Sequence, residues 1–371
     1  MKSKNSLMHA GNILITALLS VAIVSAQPVI IGLDGEPNEA LLENHGARDI
    51  SYYNLINAVS TDLPASAIQN LKKNPHIKYV EPDILVHALG KPSSQPPQQL
   101  TWGIERVNAP SMWNITNGTG TKIAVIDTGI SKKHPDLNIA GGINLVGKKK
   151  GRNYNGDNGH GTHVAGIIAA RNNNIGVVGV APDAQLYAVK ALDKYGSGYI
   201  SDVIEAIEWA VLNNMSIISM SLGTPQYSQA LEEVCNTAYA NGVLLIAAAG
   251  NSGDGNAFTD EVMYPAKFDS VIAVGAINRN DTAPYFSASG PEVELAAPGV
   301  EIYSTWPRDT YTYASGTSMA APFVTGVAAL YWSENQSLSN SELRELLRNT
   351  ALDLGEKGKD NVYGYGLVMA N

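Results

Sequence analysis

The 371-residue chain has a single cysteine, Cys235, only four phenylalanines, and charged side chains at just 16% of its positions. One thiol rules out an intramolecular disulfide framework and every metal site built on several cysteines. Any staple must therefore come from packing or from oxygen-ligated ions. Basic charge is also scarce: 25 Lys and Arg stand against 34 Asp and Glu, for a net charge of −9. That balance argues against a nucleic-acid-binding stripe or a polybasic membrane anchor. What the chain does have is 44% hydrophobic residues over a length that buries a large core. Its 35 glycines, many placed just after short apolar runs, favour tight strand-to-helix turns over long coiled helices.

Three stretches precede the main body. Lys2 and Lys4 lead into the apolar run Ile13 to Val24, which ends in Val24-Ser25-Ala26. About twelve apolar residues fall short of the roughly twenty that cross a bilayer. Residues 1–26 therefore read as a cleaved secretory signal peptide, and the mature chain is expected outside the cell with no membrane contact. Within residues 27–89, the strand-like runs Pro28 to Gly32 and Ile77 to Glu81 bracket a helical segment, Ala65 to Lys73, enough for a small α+β unit. Residues 90–99, with Lys91-Pro92-Ser93-Ser94-Gln95-Pro96-Pro97-Gln98-Gln99 at their heart, can form no core and read as a linker open to proteolytic nicking.

From Leu100 to the carboxyl end, short β-branched runs alternate with helical periods, the pattern of a parallel sheet with crossover helices. Expected strands are Lys122 to Asp127, Gln185 to Ala191, Ser216 to Leu222, Val243 to Ala249 and Val271 to Ile277. Expected helices are His160 to Ala170, Ile200 to Asn213, Gln229 to Asn241, Ser318 to Trp332 and Ser341 to Asn349. Polar residues just past the carboxyl ends of such strands line the ligand crevice, and Asp127, Ser221 and Asn251 all fall there.

Three of the polar residues can share one reaction. Asp127 ends the buried run Ile123-Ala124-Val125-Ile126, where an acid without a partner costs stability. His160 stands in Asn158-Gly159-His160-Gly161-Thr162-His163, with glycines on either side leaving its imidazole open. Ser318, in Ser315-Gly316-Thr317-Ser318-Met319-Ala320-Ala321-Pro322, leads into an apolar helix whose amino end presents unpaired N–H groups. Ser318 would attack a carbonyl, His160 would take and return the proton, and Asp127 would hold the imidazole and stabilise its cation. Asn251, after Ala247-Ala248-Ala249-Gly250, would offer its amide to the oxyanion beside the Ser318 N–H. Each motif alone is weak. Asp127-Thr128-Gly129 is also half of an aspartic protease site, but no second Asp-Thr-Gly exists. His160 and His163 are also spaced for a metal, without an evident third ligand, and these residues alone do not decide which histidine acts.

Taken together and in order, the motifs around Asp127, His160, Ser221 to Gly223, Asn251 and Ser318 resemble those of the subtilisin-like serine proteases, from Trp102 to the carboxyl end. The resemblance implies an α/β, doubly wound, mostly parallel sheet with helices on both faces in a peptidase domain at residues 100–371. It implies His160 as the catalytic histidine and a broad serine endopeptidase activity on protein and peptide substrates. Residues 27–89 resemble the family's inhibitor-type propeptide, an intramolecular chaperone and inhibitor of a slow-folding sheet, expected to be cut after Leu89 or within Gly90 to Pro97. A monomer is expected. A catalytically silent binding protein of the same fold is the rival reading.

The same resemblance places Ser221, Leu222 and Gly223, with Gly196, Ser197 and Gly198, as two edges between which a peptide adds as a strand. Ala248, Ala249 and Gly250 would wall the first specificity pocket. Met263 would stand at its floor, favouring Leu or Met over Trp and Tyr before the cut, unless it turns into the core. It also implies a structural Ca²⁺ held by the side chains of Gln98, Asp136 and Asn173 and the carbonyls of Arg171, Ile175 and Val177, a hard-oxygen set. A weaker second cation site would use Ala266, Phe268, Val271 and Glu294. Phe323 stands where many relatives have histidine, outside the proton relay. Cys235 reads as a packing or surface residue, the run Lys148-Lys149-Lys150-Gly151-Arg152 as solvated, and Asn114, Asn117, Asn280 and Asn335 as glycosylation acceptors only in a host that glycosylates.

Overall fold

A computed structural model describes residues 26–35, 38–53, 56–84, 95–147, 150–151 and 153–371. The expected signal peptide before Ala26, the expected cut region from Leu89 through Ser94, and Lys148, Lys149 and Arg152 lie outside the described residues. The chain divides into two units, residues 1–91 and 92–371.

In the first unit, β1 (Ala26–Leu33), β2 (Arg48–Tyr52), β3 (Ala58–Pro64) and β4 (Ile77–Pro82) form a sheet in the order β2-β3-β1-β4. All its pairings are antiparallel. Alternation sets the buried face: Val29, Ile31 and Leu33 of β1 and Val59 and Leu63 of β3 share one core with Leu42 of α1 (Glu39–Asn44) and Ala67 and Leu71 of α2 (Ala65–Leu71). The Tyr79 ring covers Gly32, its cross-strand partner. The sequence reading anticipated β1, α2 and β4 but not the others, because α1 is a single short turn-and-a-half and β3 is interrupted by Ser60, Thr61 and Asp62.

The second unit opens with α3 (Trp102–Arg106) and α4 (Ala109–Met112), then builds a seven-stranded sheet in the order β11-β10-β9-β8-β5-β7-β6. Its strands are β5 (Lys122–Asp127), β6 (Ile139–Asn144), β7 (Gln185–Lys190), β8 (Ile217–Met220), β9 (Leu244–Ala248), β10 (Val271–Ile277) and β11 (Val293–Pro298). Every pairing is parallel. Between and after them run α5 (His160–Ala169), α6 (Ile200–Leu212), α7 (Gln229–Ala240), the hairpin β12 (Ile302–Trp306) and β13 (Thr310–Ala314), α8 (Thr317–Glu334) and α9 (Asn340–Thr350).

The two-residue period of the strands sorts their side chains into two cores. Ile123, Val125, Leu186, Ile217, Ile246 and Val274 meet α5, α8 and α9 on one face. Ala124, Ile126, Val189, Ile218, Leu245 and Ala273 meet α6 and α7 on the other. Helices thus cover both faces of an all-parallel sheet, the doubly wound architecture expected. The anticipated strands and helices lie within two residues of those observed. Those not anticipated are the glycine-containing edge strand β6, the short α3 and α4, the Tyr- and Thr-rich hairpin, and β11, whose apolar run is broken by the buried Glu294.

Candidate active site

Strands β5, β8 and β9 are neighbours running in one direction, so Asp127 at the end of β5, Ser221 just past β8 and Asn251 just past β9 emerge along one carboxyl edge. Asp127 is fully buried, and its Oδ1 accepts from the Thr128 N–H at 2.6 Å. Both its oxygens lie 2.9 Å from His160 Nδ1. An ionised carboxylate only accepts, so Nδ1 carries the hydrogen and Nε2 is left basic and facing outward. The imidazole is positioned by its own backbone, whose His160 N–H donates to Asn158 Oδ1 at 3.1 Å, and by Gly161 N–H, which donates to Thr128 Oγ1 at 3.1 Å. Burial pulls the His160 pKa down and the Asp127 charge more than reverses it, leaving the group above its ordinary 6.5.

Geometry also separates the two histidines. His163 is fully buried, and its Nε2 donates to the carbonyls of Ile302 at 3.0 Å and Thr312 at 3.1 Å, fastening α5 to the β12–β13 hairpin. Burial lowers its pKa to about 4, so it stays neutral. The pair does not converge on a common point, and among the described residues no group of three or more His, Cys, Asp or Glu could hold a metal ion.

Ser318 is the second residue of α8, where N–H groups lack helical partners. Pro322 has no N–H to give back to the Ser318 carbonyl. The Ser221 hydroxyl donates to that carbonyl instead, at 2.8 Å, and Ser318 Oγ donates to the Ser221 carbonyl at 3.3 Å. Ser318 Oγ therefore rests on Ser221, and no hydrogen bond within 3.5 Å joins it to His160. Asn251 Oδ1 accepts from both the Thr317 N–H, at 2.8 Å, and the Thr317 hydroxyl, at 3.0 Å. Because a backbone N–H can only donate, the amide oxygen must face it, and Asn251 Nδ2 is turned outward beside Ser318.

Two cavities meet at the Ser221–Gly223 segment. One of about 500 Å³ is bordered by His160, Leu192, Gly196 to Gly198 and Ile200. The other, about 240 Å³, is bordered by Ala248, Gly250, Asn251, Met263 and Ser318. Met263 does not turn into the core: a Cβ on Gly223 would lie 3.0 Å from Met263 Cβ, and one on Gly250 would lie 3.0 Å from Met263 Cγ, so the thioether fills the gap between the walls. Ala249 is not brought into the cleft. Its methyl lies in the core, its N–H bonds to Val274 O and its carbonyl accepts from Met263 N–H.

Comparison with known proteins gives the family. The subtilase family model matches residues 118–366, and the peptidase inhibitor I9 model matches residues 36–89. Subtilisin E of Bacillus subtilis (strain 168) is 42% identical over 93% of this chain and 88% of its own length. M-protease of Shouchella clausii (strain KSM-K16) is 45% identical over 86% of this chain and 79% of its own, and a thermostable alkaline protease of Halalkalibacterium halodurans is 43% identical over 90% and 89%. The chain belongs to the subtilase family. It is a serine endopeptidase with an inhibitor-type propeptide ahead of its peptidase domain. No helix among the described residues is long and apolar enough to cross a membrane.

The expected cation loop of this subtilase is assembled by backbone pairing. Pro97 bridges Ile175, Gln99 bridges Val177, and Gln98 N–H donates to Asn174 O at 3.0 Å. Gln98 Oε1 accepts from the N–H groups of Asn173 at 2.8 Å and Asn174 at 3.1 Å, and Asn173 Oδ1 accepts from Ile175 N–H at 3.1 Å and keeps a second lone pair. Asp136 is fully buried. Its Oδ2 accepts from Val177 N–H at 2.9 Å while its Oδ1 has no partner, and burial pushes its pKa up to about 6. A buried carboxylate oxygen with no donor, amid amide and carbonyl oxygens and a single carboxylate, suits a hard divalent cation.

Part of the weaker second cation site is engaged by arginine. Glu294 is engaged by Arg344, through Nε at 2.8 Å and a second guanidinium nitrogen, and by Arg348 Nε at 2.9 Å. Arg344 also donates to the carbonyls of Asp269 at 2.7 Å and Val271 at 3.2 Å. A guanidinium thus takes two of the four groups named for that ion, Glu294 and the Val271 carbonyl. Burial pushes the Glu294 pKa up, and the two arginines more than offset that, holding it below the usual carboxylate range. The sequence reading also missed Lys190, whose buried Nζ donates to the carbonyls of Thr128 at 2.7 Å and Leu192 at 3.0 Å and to Asp157 at 2.8 Å. A charged residue ending the otherwise apolar β7, beside β5, was the available signal.

Proposed function

We propose that this subtilase is a secreted endopeptidase of broad sequence tolerance, made as a self-processing zymogen, with Asp127, His160 and Ser318 as its catalytic residues. The observation that carries the reading is the buried Asp127 carboxylate on His160 Nδ1, which leaves Nε2 basic beside the larger cavity, and that cavity meets the one bordered by Ser318 at Ser221–Gly223. A substrate chain would lie as a strand between Ser221–Gly223 and Gly196–Gly198, bonded through its main chain. Ser318 Oγ would leave the Ser221 carbonyl by rotation about its Cα–Cβ bond and attack the substrate carbonyl while His160 Nε2 takes its proton. Asn251 Nδ2 and the Ser318 N–H would receive the oxyanion. His160 would then protonate the departing amine, and water would release the acyl group by the same relay run again. The 240 Å³ pocket shortened by Met263 would prefer Leu or Met to Trp and Tyr before the cut.

In this reading residues 1–26 direct secretion, 27–89 act as chaperone and inhibitor, 90–99 are the cut region, and 100–371 form the peptidase. Gln98, Asp136 and Asn173, with the Arg171, Ile175 and Val177 carbonyls, would hold Ca²⁺, which supplies charge to the buried Asp136 and takes no part in the proton relay. Expression of the wild type and of Ser318→Ala, with mass measurement and a fluorophosphonate probe, tests the assignment. The wild type should lose its front portion and carry the adduct on Ser318, and the variant should stay full-length and unlabelled. Self-processing by the variant, or an adduct mapped to another residue, would overturn it.

A further inference from the structure

Two buried oxygens without partners occur at the same place. One is Asp136 Oδ1 and the other is the Tyr311 hydroxyl. The ring of Tyr311 comes from β13, and its hydroxyl stands against Gly176, where a Cβ would strike it. The residue after Gly176 is Val177, whose N–H donates to Asp136 Oδ2 at 2.9 Å, so the same turn of backbone brings the phenol up to the carboxylate.

The surroundings tie both groups to the catalytic frame. The His134 ring stands edge-on to Tyr311 at 5.2 Å, its Nδ1 accepts from the Asp136 N–H at 3.2 Å, and its Nε2 lies 3.0 Å from the Thr310 carbonyl. The next carbonyl but one on β13, that of Thr312, receives His163 of α5, the helix that His160 opens. Beyond Ala314 the same strand runs through Gly316 into α8 and Ser318. A phenol has one proton to donate, and Asp136 Oδ1 is an acceptor without a donor. Groups hydrogen-bonded to a metal-ligating carboxylate orient it and commonly set its affinity.

We propose that Tyr311 is a positioning residue for the cation site, its hydroxyl donating to the Asp136 carboxylate when Ca²⁺ is bound and so linking occupancy of the site to strand β13. This rests on the calcium reading above. Ca²⁺ affinity would be measured by competition with a chromophoric chelator in the full-length chain carrying Ser318→Ala, which prevents self-digestion. Tyr311→Phe keeps the ring and should weaken Ca²⁺ binding about 10- to 100-fold, while the thermal midpoint in excess chelator stays that of the parent. Ca²⁺ should also give the parent a tyrosine absorption difference that Tyr311→Phe lacks. In an Asp136→Asn background the Tyr311→Phe change should have no further effect on binding. Equal affinity in parent and Tyr311→Phe, with Asp136→Asn still weakening it, would overturn the role of Tyr311 and leave the calcium reading standing. A midpoint lowered as much in chelator as in Ca²⁺ would also overturn it, as plain packing. A parent that binds no Ca²⁺, or binds it independently of Asp136, would overturn both.

Discussion

Met263 offers the sharpest functional test, because its side chain sits against both walls of the smaller cavity rather than beneath it. Its Sδ would be 3.5 Å from a Cβ on Gly223 and 3.4 Å from one on Gly250, so the space it takes is space a substrate side chain cannot use. Met263→Gly removes four heavy atoms, Cβ, Cγ, Sδ and Cε, from the lining of a pocket of about 240 Å³. Misfit by a single methylene is worth about 1–3 kcal/mol, or roughly 10- to 200-fold in kcat/KM. The variant should therefore raise the ratio of kcat/KM for Trp over Leu before the cut by about 10- to 100-fold, which is about 1.4–2.7 kcal/mol of differential transition-state binding. The assay is a matched set of peptide anilides differing only at that residue, with Leu, Met, Phe and Trp compared in wild type and variant. The Leu rate should move less than the Trp rate, since Met263 touches no group of the proton relay. A ratio that stays put, or a wild type that already favours Trp, would refute the reasoning.

Other expectations follow from the same geometry. Asn251→Leu removes one of the two oxyanion donors and should lower turnover about 10²- to 10³-fold, a magnitude taken over from subtilisin; unchanged kcat discards the role. Because Asp127 holds the His160 pKa above 6.5 and the base must be neutral, kcat/KM should be low in acid and rise with its midpoint on the alkaline side of 6.5. Asp127→Asn should move that limb to lower pH while cutting kcat about 10⁴-fold, and a profile flat from about pH 5 to 9 contradicts the base assignment. Arg344→Met strands most of the Glu294 charge in a buried site and should cost about 3–5 kcal/mol in urea unfolding, with Glu294→Leu added to it recovering much of the loss; a single-variant cost near zero would show the pair to be idle. Glu294 is ionised more readily folded than unfolded, so its contribution is present above its unfolded pKa of 4.5 and is lost as pH falls through the lower folded value.

Much of this was readable along the chain because two signals are local. Apolar runs of strand length with flanking glycine located β5, β7, β8, β9 and β10, and a buried strand ending in Asp127 announced a partner for that acid. Elements whose burial depends on distant segments were not readable: β11 hides Glu294 because Arg344 and Arg348, some fifty residues later, reach it. The hairpin β12–β13 carries polar residues because its inner side, besides packing Ile302 and Tyr303 on the core, bonds the α5 backbone through Ser304 and Thr305 and meets the loop around Gly176.

Composition and order along the polymer determined the fold class, the absence of disulfides, the candidate acid and nucleophile, and the candidate cation loop. Those properties depend on neighbours a few residues apart, and covalent connectivity already supplies them. Only the folded chain put the Asp127 carboxylate on His160 and backbone carbonyls on His163, turned Met263 into the cleft and Ala249 out of it, put a guanidinium on Glu294, and set Tyr311 against Asp136. Each of these turns on which side of a strand or helix meets which distant surface, and that is a matter of packing in three dimensions.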